Sequence, residues 1–215
     1  MTCRSTRKRN STDAALSPAS VSDVTATSTE VDPALLSRAR SGDEAAFGVI
    51  MRASYERIFR LVYAIVRNEH DARDVCQEVW LTVWRELPNF RGDAKFSTWL
   101  HPIATRRSLD HLRKRRRWFD RFLPIAVGDD SIESAPEPVA ADDTREATET
   151  TDRKAQLKRV LDSLPTKLRA VLALREVEGL SYDEIARATG IPAGTVMSRL
   201  YHARRLLAQK LKDLP

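Results

Sequence analysis

The chain has 215 residues, 42% of them hydrophobic, with seven glycines and few aromatics; this leaves room for one ordinary domain or two small ones and favours helices over strands. A formal net charge of +6 points to a polyanionic partner. Two cysteines, Cys3 and Cys76, argue against a disulfide scaffold, and the lack of a membrane-length apolar run or signal-peptide core leads us to expect a soluble cytoplasmic protein.

Residues 1–32 are rich in Ser, Thr and charge and almost devoid of large apolar residues. Such a segment cannot bury enough surface to offset its ordering entropy, so a flexible tail is expected. From Pro33 to Trp118 the pattern is helical. Phe47, Ile50, Met51, Ile58, Leu61, Val62 and Ile65 recur at three- and four-residue spacing. The stretch DARDVCQEVWLTVWREL follows, with Asp71 as the expected N-cap and Asp74 in an acidic first turn. Val75, Val79 and Val83 line one side of it, and Pro88 ends it. A polar loop, NFRGDAK, leads to the basic helix FSTWLHPIATRRSLDHLRKRRR, with Pro102 near its start.

Residues 119–152 lose periodicity and gather acidic residues, Pro and Ala, which is the chemistry of a flexible, self-repelling linker. Helical pattern resumes from Arg153 to the end of the chain. The expected fold is therefore all-α, with two small helical domains, 33–118 and 153–215, joined by an acidic linker.

The last segment, GLSYDEIARATGIPAGTVMSRLYHARRLL, reads as two short helices and a tight turn. Gly179 ends the preceding helix, Ser181 and Glu184 form a capping box, and Leu180 and Ile185 are placed as a hydrophobic staple. Gly190 supplies the turn and Pro192 belongs in the first turn of the next helix. On that helix Val196, Leu200, Ala203, Leu207 and Leu211 share one face. Thr195, Ser198, Tyr201, His202 and Arg205 share the other, flanked by Arg199 and Arg204. No acidic residue occurs from Thr195 to Gln209, whereas an ordinary solvated hairpin mixes both signs. The pattern suits insertion into a major groove.

A second nucleic-acid candidate lies upstream. Phe90, Phe96 and Trp99 precede Arg106, Arg107, Arg113 and the run Arg113–Arg117. Aromatics beside arginines are what single-stranded DNA requires, since cations follow phosphates and flat rings stack on bases; a core role for Trp99 is the alternative. His101, Asp110 and His111 lack the further ligands of a metal site. No nucleophile motif, glycine-rich phosphate loop or paired-carboxylate pattern is present, so neither enzyme activity nor a cofactor is expected.

Taken together these segments resemble a bacterial sigma factor of the extracytoplasmic-function type, within the sigma-70 family, over Leu35 to Leu214. DARDVCQEVWLTVWREL is similar to the family's core-polymerase-binding helix, and FRGDAKFSTWLHPIATRRSLDHLRKRRR to its minus-ten melting segment. LDSLPTKLRAVLALREVEGLSYDEIARATGIPAGTVMSRLYHARRLL is similar to its minus-thirty-five domain. The resemblance implies that Asp74, Gln77 and Glu78 contact the clamp helices of core RNA polymerase, with the flap as a second polymerase contact. It places Asn89, Phe90, Arg91 and Lys95 around a flipped minus-ten base, beside Trp99, Arg106, Arg107 and Arg113. It assigns minus-thirty-five reading to Thr195, Ser198, Arg199, Tyr201, His202, Arg204 and Arg205, and it implies an anti-sigma factor as a partner. Two positions depart from the family pattern: Arg106 stands where Asn is usual after Ile103-Ala104-Thr105, and His202 where Arg is common.

Energetics fit a shared task. Opening about ten base steps costs about 1.4 kcal/mol each, and each base stacked on an aromatic ring returns about 1–3 kcal/mol. A lone protein with a few such rings cannot melt DNA, so a polymerase-binding helix belongs in the same chain. Two other readings compete: a conventional regulator that uses only its helix-turn-helix, and a polymerase-binding inhibitor that never reads DNA. A regulator has no need of the Asp74, Gln77, Glu78 face, and an inhibitor has no need of the basic run.

Overall fold

Side-chain caps start several of the helices, and they account for where the chain turns. In the computed structural model, which describes residues 31–122 and 149–212 and the side chains of 31–118 and 155–212, Asp32 accepts a hydrogen bond from the Ala34 N–H and opens α1 (Pro33–Arg40). Asp43 does the same for Ala46 and opens α2 (Glu44–Val66). The second cap is reinforced across the turn, because Arg38 donates to Asp43.

Arg67 ends α2 in the left-handed region at φ 66 and Asn68 opens α3 (Glu69–Glu86) by accepting from the Asp71 N–H. The expected N-cap at Asp71 is thus corrected to Asn68. The turn between the helices is so short that α3 starts at Glu69, which leaves the Asp71 carboxylate to accept from Arg115 at 2.7 Å instead. A 3-10 turn, Leu87–Asn89, and an exposed loop lead to α4 (Phe96–Phe122).

Helix α4 begins at Phe96, where the sequence reading placed its start, with Pro102 inside it, so the Thr98 carbonyl loses its in-helix donor. It runs four residues past Trp118, to Phe122, farther than the sequence reading. The second half comprises α5 (Glu149–Asp162), α6 (Thr166–Glu176), α7 (Tyr182–Thr189) and α8 (Ala193–Lys212). The described residues hold no strand, in keeping with the all-α expectation. Residues 1–30 of the expected tail, 123–148 of the expected linker and 213–215 lie outside the described residues.

In the first half, Ile58, Leu61, Val62 and Ile65 of α2 are buried along with Val75, Val79 and Val83 of α3 and Leu100, Ala104 and Leu112 of α4. Phe47 packs its ring on Trp80 and Trp84, at centroid distances of 6.1 and 4.8 Å. In the second, Val171, Leu174, Ile185, Val196, Leu200 and Ala203 are buried. The sequence reading treated these as separate units. They pack together, α7 against α4 and α6 against α2, and their apolar residues form one continuous cluster.

Candidate nucleic-acid interface

The helix-turn-helix is built as its caps dictate. Gly179 (φ 68) turns the chain out of α6, with its N–H on Arg175 O at 3.1 Å. Ser181 and Glu184 form a reciprocal capping box, the Ser181 N–H reaching Glu184 Oε2 at 2.8 Å. That bond and the Ser181 hydroxyl hold the Glu184 carboxyl below its ordinary pKa. Gly190 (φ 70) ends α7, and the Ile191 N–H returns to Ala186 O at 3.2 Å. Pro192 stands one residue before α8, not within its first turn; its carbonyl accepts from the Val196 N–H at 3.1 Å.

Val196, Leu200 and Ala203 anchor α8 in the core, while Leu211, expected on the same face, is exposed near the helix end. The opposite face presents Ser198, Tyr201, His202, Arg204 and Arg205 to solvent, with Thr195 and Arg199 half-buried at its edge. Tyr201 is 63% exposed and Met197 51%. Among the described residues no carboxylate pairs with Arg199 or Arg205. Arg204 differs: it donates to Glu176 at 2.8 Å, which raises its pKa and ties it to α6. The face is therefore cationic and acid-free at its centre, with donors that match phosphates and guanine edges.

The second candidate surface surrounds a cleft of about 490 Å³. Asn89, Arg91 and the loop up to Ala94 form one wall, and Trp99, Pro102 and Arg106 of α4 another. Phe90, Phe96 and Trp99 form an aromatic cluster beneath, with Phe90 to Trp99 at 5.1 Å between centroids and Phe96 to Trp99 at 5.8 Å. Phe90 and Phe96 are buried and Trp99 is half-buried. Phe90, placed by the sequence reading among the DNA contacts, lines the cleft together with Trp99, whereas Phe96 does not.

Arg91, Lys95 and Arg106 are exposed and Arg107 is half-buried. Arg113 is exposed but pairs with Asp110 at 2.7 Å. Cys76 is fully buried in α3, which pushes its thiol pKa up to about 12. His101 is buried against Glu178 and His111 faces Asp71 at 3.5 Å; no described group of three such side chains could hold a metal.

Asp74, Gln77 and Glu78 are exposed along α3. Leu81 joins them one turn beyond Gln77 and Glu78 and is 61% exposed. The sequence reading missed it, although the signal was legible: an apolar residue at position i+3 from Glu78 falls on the polar face. Also missed was the buried ionic group between the halves. Glu178 accepts from Arg57 Nε at 2.6 Å and meets His101 Nε2 at 2.8 Å. Burial raises the Glu178 pKa, but His101 and Arg57 outweigh it and hold the carboxyl below its ordinary value. No local sequence pattern marks such a group, since its members are 121 and 77 residues apart.

Comparison with known proteins adds the following. The sequence matches Sigma-70 region 2 over residues 50–118 and Sigma-70, region 4, over residues 154–207. It is 35% identical to the RNA polymerase sigma-H factor of Pseudomonas aeruginosa, covering 86% of this chain and 96% of that one. It is 32% identical to the ECF RNA polymerase sigma-E factor of Escherichia coli K12, covering 85% and 95%. In fold it is similar to the sigma factor RpoE of Bartonella quintana, solved in complex with the anti-sigma factor NepR: TM-score 0.59, 21% identity, 79% of this chain and 98% of that one.

Proposed function

The chain belongs to the sigma-70 family, in its extracytoplasmic-function branch, and from that premise we propose how it directs transcription initiation at promoters. Residues 33–118 bind core polymerase and the minus-ten element, residues 153–215 bind the minus-thirty-five element, and 119–152 connect them. In α3, Asp74, Gln77, Glu78 and Leu81 meet the polymerase clamp helices. The cleft edged by Asn89, Arg91, Trp99 and Arg106 receives an unstacked minus-ten base, with Lys95, Arg107 and Arg113 on the neighbouring phosphates. On α8, Thr195, Ser198, Arg199, Tyr201, His202 and Arg205 enter the major groove. Arg204, held by Glu176, supports them and reaches the backbone phosphates. The protein acts where the polymerase is, in the cytoplasm, and an anti-sigma factor restrains it.

The observation that carries this reading is the pairing, in one chain, of a recognition helix with an acid-free outer face and a loop-edged aromatic cleft. A groove-binding regulator needs only the first. A promoter-opening factor needs both, because duplex and unstacked strand are read at different places. The test is run-off transcription with purified core polymerase on promoter fragments drawn from the source genome. Promoter-specific transcripts are expected only when the chain is added. Their absence, alongside groove binding by the chain alone, favours the regulator.

A further inference from the structure

The outer face of α8 carries two large apolar side chains among its polar ones. Met197 is 51% exposed and Tyr201 63%, and neither belongs to the buried cluster that anchors the helix. Four residues apart, they stand on one side of the helix with Cβ atoms about 5–6 Å from each other. Arg205 continues the same row one turn further on.

The surroundings hold this ridge in place. Leu200 is buried beneath it, and with Tyr182 of α7, Arg204 and Arg205 the pair lines a groove of about 420 Å³. The Arg175 guanidinium lies over the Tyr182 ring, 5.4 Å from its centroid, and Arg204 is tied to Glu176 at 2.8 Å. Tyr201 meets the His202 ring edge-on, with centroids 5.5 Å apart. Between the two apolar residues, the Ser198 hydroxyl donates to the Thr195 carbonyl at 3.0 Å and so spends its proton on its own helix.

An apolar pair can do at a base edge what its polar neighbours cannot. Hydrogen-bonding side chains read the donors and acceptors of the major groove, whereas thymine also presents a C5 methyl group there, which an apolar surface recognises. Met197 lies near the start of α8, the part of a recognition helix that reaches base edges. Thymines one or two steps apart on a strand are separated by about 3.4–7 Å along the axis, a range that the Met197–Tyr201 spacing matches. A protein partner could also cover such a pair. The charge around it favours DNA: no acidic residue occurs from Thr195 to Gln209, and Arg205 follows the ridge where a phosphate would lie.

We propose that Met197 and Tyr201 determine specificity at the upstream element by packing on the C5 methyl groups of one or two thymines in its major groove. The proposal rests on the function assigned above and adds Met197, with an apolar mode of reading, to the polar contacts given there. Met197 contributes an unbranched, polarizable side chain that adapts to the position of the methyl group, and Tyr201 contributes its ring.

The test uses holoenzyme reconstituted from the full chain and core polymerase. Duplexes that it binds are selected from a randomised pool. A selected duplex is then remade with deoxyuridine for thymidine, one position at a time, which keeps the pairing and removes only the methyl group. One or two of these replacements in the upstream element should weaken binding about fourfold each, the worth of one buried methyl group. Met197→Ala should bind more weakly and no longer distinguish thymine from uracil at one such position. Met197→Gln, similar in length but polar, should lose the same distinction, and Tyr201→Ala should lose it at the same or the neighbouring position. The deoxyuridine series on the unsubstituted chain stands even if a variant fails to fold. Binding that no replacement weakens, or a thymine preference that persists in all three variants, overturns the proposal. So does a loss of core-polymerase affinity in the variants with the thymine preference intact, which would make the ridge a protein-docking surface. Failure of the holoenzyme to select any duplex overturns the assigned function instead, and the proposal with it.

Discussion

Leu81→Ala is the most direct probe of the α3 face. The side chain is 61% exposed, so truncating it opens little cavity, and stability should change by no more than about 0.5 kcal/mol. Binding is another matter. The change deletes three carbons worth about 0.8 kcal/mol each when fully buried. Scaled by the 61% that a partner can still cover, the loss is about 1.5 kcal/mol, or roughly a tenfold weaker affinity for core polymerase. Titration of labelled chain with core enzyme measures the affinity, and thermal unfolding measures the stability. Two results would refute the reasoning. Unchanged core affinity would remove α3 from the interface, and a loss of stability above about 1 kcal/mol would make Leu81 a packing residue.

Other consequences concern individual side chains. Arg199→Ala should weaken upstream-element binding by about 1–3 kcal/mol if it grips a guanine; equal losses on scrambled DNA would make it a phosphate contact. Because the folded Glu178 pKa lies below its ordinary value of 4.5, its contribution is complete above about that pH and fades as pH falls through the folded value. Unfolding followed from pH 7 to 3 should therefore show an acid loss that Glu178→Gln flattens, and an identical acid limb in the variant would contradict the assignment. Cys76, with its thiol pushed up to about 12 and fully covered, should resist alkylation at neutral pH in a Cys3→Ser chain and react fully in denaturant. Rapid native labelling would show that α3 opens.

The local features were legible in the residues because each is written within one or two helical turns. The capping box of Ser181 and Glu184 needs only four adjacent residues, and the turn at Gly190 needs only a residue at ease with positive φ. The valine stripe of α3 and the acid-free face of α8 are likewise set by the 3.6-residue period. Local rules erred where two caps competed. Asn68 took the start of α3 from Asp71, because the tight turn at Arg67 put the asparagine one step before the first helical residue.

The sequence by itself determined the helices, the acid-free outer face of α8 and the polar face of α3. Tertiary structure decided which aromatic residues reach the cleft: Phe90 and half-buried Trp99 line it, and Phe96 is covered away from it. It also decided that the halves close on one another, through Arg57, His101, Arg169 and Glu178. The physical reason is range. Caps and periodicity act within a few residues, whereas a buried charge is stabilised by whatever the fold brings within hydrogen-bond reach. For Glu178 those partners lie far away in the chain, on two helices of the other half.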